Sequence, residues 1–289
     1  MEDKNLSNLG VIKEILKDHG LFLTKSLGQN FLINPFVCPR IAELGGAKDS
    51  FVLEVGAGIG VLTKELSKLA KKVCSVEIDK RLIPILNDTL SEFDNIEIIS
   101  EDILNLDLEK LLKEKANGMN IKVCANLPYY ITSPILMHIL ESKLPIESIT
   151  VMVQKEAAKR ICAKPGTRDC GSISLAVSYY STPKLLFNVS RGSFYPKPNV
   201  DSAVIKLDIN KVKPVNVYSE KDFFELIKAA FSQRRKVLIN PVSKLWNVSK
   251  KELKKKLISL DIDPSARAEQ LSLKQFADIS NSKYDLTSY

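Results

Sequence analysis

The sequence predicts an α/β domain with a mostly parallel sheet, helices on both faces and antiparallel strands at one edge, followed by a small all-α domain. Three observations carry this. Apolar, β-rich runs near residues 51–55, 72–76, 96–99 and 121–125 alternate with amphipathic helical patterns up to about residue 155. Such alternation belongs to parallel strands joined by helical crossovers. Each run also ends in a turn containing glycines, an acid or Asn-x-Pro, at the strand ends where open α/β sheets bind ligands. From Ser219 onward every periodic segment is helical, at 220–232, 235–246, 249–260 and 272–280. The expected boundary divides the chain into residues 1–210 and 211–289.

In chain order, residues 8–20 read as a short helix with Ile12, Ile15 and Leu16 on one face. A polar stretch with Lys25 leads into LGQNFL, and Asn34-Pro35 offers a cap and first position for a helix to about Leu44. FVLEV (51–55) is the first long strand, and EVGAGIG (54–60) turns it into a helix bearing Val61, Leu62, Leu66 and Leu69. The next strands end at Glu77, at Glu101-Asp102 and at Asn126-Leu127-Pro128-Tyr129. Beyond residue 160 the rhythm changes. Lys164-Pro165-Gly166 marks a loop, Ile173–Tyr180 a helix, and 184–189 with 203–207 an antiparallel edge pair. Val212–Asn216, containing Pro214, reads as a linker, and Asp263-Pro264 punctuates the last two helices.

Composition narrows the class. A chain of 289 residues with mean hydropathy near zero (−0.03) can bury a full core. No apolar run approaches the roughly 20 residues of a membrane span. The start, MEDKNLSNLG, lacks a basic-then-apolar signal pattern, so a cytoplasmic protein is expected. Five cysteines without a C-x-x-C pair, and only two histidines, point to no disulfide and no metal site. Charge is uneven. Residues 211–289 hold 16 basic against 9 acidic side chains, whereas residues 1–210 hold 26 against 25. A basic tail suits a polyanion, with a solubilising helical face as the lesser reading of Lys250–Lys256 (KKELKKK). Arg234-Arg235-Lys236 would project three cations from the end of an apolar helix.

The strand-end motifs suggest a chemistry. Glycines 56, 58 and 60 permit close backbone approach to a ligand, but their G-x-G-x-G spacing is not the dinucleotide fingerprint. The pattern suits an adenosyl group with a charged amino-acid tail. Glu77, 21 positions after Gly56, can accept both ribose hydroxyls, and Asp102 can accept from an adenine amino group. Asn126-Leu127-Pro128-Tyr129 offers the Asn oxygen, the carbonyl before Pro128 and an aromatic face around one point. That is a receptor for a flat ring with an exocyclic amino group. Taken alone, the same four residues are equally a strand-terminating turn.

Together EVGAGIG, Glu77, Asp102 and NLPY resemble the class I (Rossmann-like) S-adenosylmethionine-dependent methyltransferases that modify adenine amino groups. SLGQNFL (26–32), QKEAAKR (154–160), FYPKPNVDSAV (194–204), AFSQRRK (230–236) and RAEQLSLKQFA (267–277) bring the chain closer to the small-subunit ribosomal RNA adenine dimethyltransferases. The resemblance runs from about residue 25 to about 280. It implies S-adenosyl-L-methionine held by Asn30, Leu32, Gly56, Glu77, Asp102 and Asn126. It also implies a catalytic set of Asn126, Leu127, Pro128 and Tyr129, with Phe194 as a second aromatic wall. The implied activity is dimethylation of two adjacent adenines near the 3′ end of 16S rRNA, on partly assembled small subunits, by a monomer whose helical C-terminal domain docks on RNA.

Two departures stand out. Val237 and Pro241 fall where the family usually continues Thr-Leu and then Asn with a small polar residue, and Pro241 is expected to break the helix. Cys170 replaces a common Tyr before Gly171. The alternatives are a large-subunit adenine methyltransferase of the macrolide-resistance type, and a ribosome-assembly factor with vestigial catalysis. A DNA adenine methyltransferase shares an NPPY-like turn, but nothing in the chain suggests major-groove readout.

Overall fold

A computed structural model describes residues 5–21, 30–233 and 236–286. The strands are β1 (Phe31–Leu32), β2 (Phe51–Val55), β3 (Lys72–Glu77), β4 (Ile96–Ser100), β5 (Ile121–Asn126), β6 (Ile146–Gln154), β7 (Ser181–Val189), β8 (Phe194–Tyr195) and β9 (Ser202–Ile209). Helices of the first part are α1 (Leu9–Asp18), α2 (Val37–Gly45), α3 (Val61–Ser67), α4 (Ile83–Thr89), α5 (Leu108–Lys115) and α6 (Thr132–Glu141). Those that follow are α7 (Lys155–Ile161), α8 (Ser172–Tyr180), α9 (Glu220–Phe231), α10 (Ile239–Trp246), α11 (Lys250–Ser259) and α12 (Leu273–Leu286).

Seven strands form one sheet in the order β4-β3-β2-β5-β6-β9-β7. The first five are parallel, and β9 runs antiparallel to β6. Chain order reverses between β2 and β5. That is the switch point of an open sheet, where the crossovers diverge and leave a crevice beyond the strand ends. Central β2 is apolar along nearly its whole length and buried throughout, as a strand covered on both faces must be. The expected edge pair is present, with β7 outermost. Two short elements escaped the sequence reading. β1 and β8 pair antiparallel, setting Leu32 opposite Phe194 and Phe31 opposite Tyr195. Two residues are too few to show a period.

The chain forms two compact units, residues 1–158 with 184–209, and residues 159–183 with 210–289. A cut at residue 210 therefore leaves out one segment that groups with the C-terminal helices. The reason is aromatic packing. Tyr179 and Tyr180 of α8 contact Phe223 and Phe224 of α9 at centroid distances of 5.3–5.4 Å. The Tyr179 hydroxyl donates to Glu220 (3.0 Å), and the Lys213 ammonium lies 4.0 Å from the Tyr180 ring centroid.

Two local expectations change, and Cys170 keeps the bland role expected of it. Asn34 caps a turn rather than the helix. Its Oδ1 accepts the Phe36 N–H, and α2 begins at Val37. Pro241 does not break a helix, because α10 starts at Ile239 and places Pro241 in the first turn, where a missing N–H costs nothing. Cys170 is fully buried at the turn before α8, packed as a small hydrophobe. Residues 26–29 of SLGQNFL, and Arg234 with Arg235, lie outside the described residues.

Candidate functional site

One cavity opens beyond the carboxyl ends of β2, β3 and β5. Every residue of the expected cofactor and catalytic sets lines it: Asn30, Leu32, Gly56, Glu77, Asp102, Asn126, Leu127, Pro128, Tyr129 and Phe194. All of them belong to the first compact unit.

The floor of the cavity is the turn after β2. Gly56, Gly58 and Gly60 all have positive φ (80°, 60° and 90°), which L side chains adopt at a cost. A Cβ on Gly56 would stand 3.9 Å from the Asn126 carbonyl oxygen, and one on Gly58 would stand 3.7 Å from the Phe31 ring. Their absence keeps the backbone open to a ligand. Glu77 braces this turn. Its Oε2 accepts the Gly58 N–H (2.9 Å) and its Oε1 accepts the Asp79 N–H (2.8 Å). Each carboxylate oxygen retains a further lone pair for a hydroxyl donor. Burial raises the Glu77 pKa, and the backbone N–H bonds oppose that rise. Asp102 caps its own turn, with Oδ1 accepting the Leu104 N–H at 3.0 Å.

Glu54, two residues before the first glycine, behaves differently. It is fully buried, and its Oε2 accepts from Thr63 on α3 and Ser75 on β3, both at 2.6 Å. Among the described residues its Oε1 has no hydrogen-bond partner. Burial pushes its pKa to about 7 against those two hydroxyl bonds. This acid ties β2, β3 and α3 together beneath the floor; it does not line the cavity.

The NLPY turn lines the cavity beside the glycine turn. Leu127 N–H donates to the Met152 carbonyl, holding the turn against β6. Pro128 fixes φ, and its carbonyl accepts from Ile131 N–H and Thr132 Oγ1, both at 3.2 Å. The Tyr129 hydroxyl is 2.7 Å from Ser202 Oγ. Phe194 reaches the cavity from β8 and is almost fully buried. Sequence reasoning passed over Ser202 and Thr132, although both stand within or beside quoted motifs. It also passed over Ile78 and Tyr130, large side chains more than 60% exposed that line the cavity. The adjacency of Ile78 to Glu77 and of Tyr130 to Tyr129 was the available signal.

A parallel sheet with this switch point, a positive-φ glycine turn, a carboxylate at the end of β3 and an Asn-x-Pro-Tyr turn at the end of β5 define a Rossmann-like methyltransferase. The residues present fit S-adenosylmethionine: a turn in which Gly56 and Gly58 present no Cβ to the cavity, and a buried carboxylate with lone pairs to spare. The family model for ribosomal RNA adenine dimethylase matches residues 22–285, and the chain belongs to that family. It is 45% identical over 279 residues to ribosomal RNA small subunit methyltransferase A of Clostridioides difficile (strain 630), covering 96% of each chain. The protein of the same name from Enterococcus faecalis (strain ATCC 700802 / V583) is 47% identical over 286 residues, again with 96% of each covered. Among solved structures, a dimethyladenosine transferase from Plasmodium falciparum matches with TM-score 0.71 and 26% identity, over 86% of this chain and 95% of that one. The 23S rRNA methyltransferase ErmE matches with TM-score 0.66 and 25% identity, over 89% and 100%.

Proposed function

We propose that this protein dimethylates the N6 amino groups of two adjacent adenosines near the 3′ end of 16S rRNA, acting as a cytoplasmic monomer on a small-subunit precursor. The carrying observation is that the glycine turn, Glu77 and Asp102 share one cavity with Asn126, Leu127, Tyr129 and Phe194. A cofactor site and a flat-ring site are thereby contiguous.

S-adenosylmethionine supplies an electrophilic methyl group when bound. Asn30 and Leu32 would close over it, the Gly56 turn would receive its amino-acid tail, Glu77 its ribose hydroxyls and Asp102 its adenine. The target base must leave its stack to enter. Tyr129 and Phe194 form its two walls, and each aromatic stack contributes ~1–3 kcal/mol. Asn126 Oδ1 and the Leu127 carbonyl accept hydrogen bonds from the base's amino group. These bonds draw the nitrogen towards pyramidal geometry and localise its lone pair. Pro128 keeps the two acceptors aimed. Catalysis is then positioning and electrostatic preorganisation, and the amino proton departs after transfer. No histidine lines the cavity among the described residues, and this chemistry needs none.

In the helical unit, α11 exposes Lys250, Lys251, Lys254 and Lys255 while Leu253 and Leu257 are buried. That face suits phosphate contacts with ribosomal RNA. The small-subunit target is favoured over the large-subunit one because the relatives at 45–47% identity carry the small-subunit name.

The test incubates small subunits lacking the adenine methyls with this protein and methyl-labelled S-adenosylmethionine, with Asn126→Ala in parallel. Dimethyladenosine at the two adjacent 3′-end adenines, lost in the variant, is expected. Label in 23S rRNA would favour the large-subunit reading. Cofactor binding without label would favour an assembly factor that no longer turns over.

A further inference from the structure

We propose that Ser202 is a positioning residue for the target base, its hydroxyl locking the ring of Tyr129 in the orientation that receives the adenine. The proposal rests on the assignment of Tyr129 as a wall of the base site.

The two walls are held by different means. Phe194 sits in a strand whose backbone pairs with β1, so its position needs no polar anchor. Tyr129 follows Pro128 in a turn and is only half-buried, so packing alone leaves its ring torsions loosely determined. The adjoining Tyr130 shows what the turn does without such an anchor, since 68% of it faces solvent. The Tyr129 hydroxyl instead meets Ser202 Oγ at 2.7 Å, the preferred O–H···O separation.

Ser202 cannot follow the ring. It is fully buried at the first position of β9, in register with Gln154 of β6. The residue before it is held on two sides, with the Asp201 carbonyl accepting Lys155 N–H and Asp201 Oδ1 accepting Arg191 N–H, both at 2.9 Å. The Arg191 guanidinium also donates to the Asn199 carbonyl at 3.1 Å. The serine is therefore the fixed end of the bond and the tyrosine ring the adjustable one. Because Phe194 and Ser202 bracket one short segment, both walls of the base site take their position from residues 194–202.

The test measures single-turnover methylation of small subunits lacking the adenine methyls. The proteins are wild type, Ser202→Ala, Tyr129→Phe, the double variant, Ser202→Thr and Tyr129→Ala. Each of Ser202→Ala and Tyr129→Phe is expected to lose about tenfold in rate, and the double variant no more than either alone, since one bond is removed by both changes. Affinity for S-adenosylmethionine is expected to stay within about twofold, since the change affects only the base wall. Ser202→Thr, which keeps the hydroxyl, is expected to retain most of the rate. Losses that multiply to about a hundredfold in the double variant would overturn the proposal, as would a wild-type rate for Ser202→Ala. If Ser202→Ala fails to fold, Ser202→Thr and Tyr129→Phe decide: a slow Thr variant or a fast Phe variant sinks the idea. A fast Tyr129→Ala would overturn the role of the ring itself. A slow Tyr129→Ala beside fast Phe and Ser202→Ala variants would overturn only the anchor.

Discussion

On the glycine-turn side of the cavity, the polar contacts join a carboxylate to backbone N–H groups close by in sequence. Gly58 and Glu77 are 19 residues apart, and Glu77 and Asp79 are two apart. On the NLPY side, the contacts that shape the cavity come from far along the chain. Ser202 is 73 residues from Tyr129, and Phe194 is set by pairing with Leu32 near the start of the fold. The first side is braced by backbone bonds within one strand–helix–strand unit, and these depend on glycine and one acid. The second is assembled only when distant strands have joined the sheet. Preorganisation on the one side is therefore local, and on the other it belongs to the tertiary structure.

The largest expected effect falls on the NLPY side. Asn126→Ala removes the side-chain acceptor proposed for the amino group. The single-turnover methylation rate is expected to fall about 10³-fold, or ~4 kcal/mol. A rate within tenfold of wild type would mean that positioning on that side does not need the Asn oxygen.

On the glycine-turn side, Glu77→Ala removes the acceptor for two N–H groups as well as the carboxylate proposed to hold the ribose. Affinity for S-adenosylmethionine, measured by calorimetry, is expected to drop about 100-fold, ~3 kcal/mol. Methylation at ordinary cofactor concentrations would be abolished with it. Unchanged affinity would show that the cofactor is not held at the end of β3.

Beneath that side, Glu54 offers a contrast in pH. Its pKa is about 7 in the folded protein, above its ordinary 4.5, because burial disfavours the charge. The folded state holds this proton more tightly than the unfolded chain. The resulting stability is complete below about pH 4.5 and is lost as pH rises through about 7. Glu54→Gln, which does not titrate, is expected to gain on wild type between pH 5 and 8, by on the order of 3 kcal/mol at the upper end. Denaturant unfolding at a series of pH values checks this. A difference that does not vary with pH would mean that the acid is ionised throughout.

The smallest effect tests the turn itself. Gly60 has φ 90°, and a Cβ there would stand 3.1–3.2 Å from the Leu90 side chain. Gly60→Ala is expected to cost about 2 kcal/mol, with Leu90 yielding part of the space. A lowered melting temperature with cofactor affinity little changed would separate turn stability from ligand contact.

Much of this was legible in the sequence. Four β-rich runs, each ended by a recognisable turn, gave the parallel strands and the edge on which their motifs lie. The helix at 8–20 was readable because Ile12, Ile15 and Leu16 recur at helical spacing and all three are buried. Less was readable after residue 160. Nothing in the pattern of 172–180 says that Tyr179 and Tyr180 pack with Phe223 and Phe224, because aromatic contact across 44 residues leaves no periodic trace. Pro241 sits differently from its sequence expectation for a related reason. The penalty of a proline depends on which turn of a helix it occupies, and the start of α10 was not evident from composition.

By itself, the sequence determined the strand-end chemistry: where the glycines turn the chain, where Glu77 and Asp102 fall, and that Asn126 and the Leu127 carbonyl share a turn with Tyr129. These are local matters, settled by backbone dihedrals and by spacing along single strands. Only the tertiary structure decided that Glu54 lies outside the cavity lining while Glu77 is part of it, that Phe194 shares the cavity with the NLPY turn, and that Ser202 meets the Tyr129 hydroxyl. Those outcomes depend on which strands become neighbours and at what register. Cross-strand hydrogen bonding and burial set that register, and a one-residue slip would turn each of these side chains to the other face.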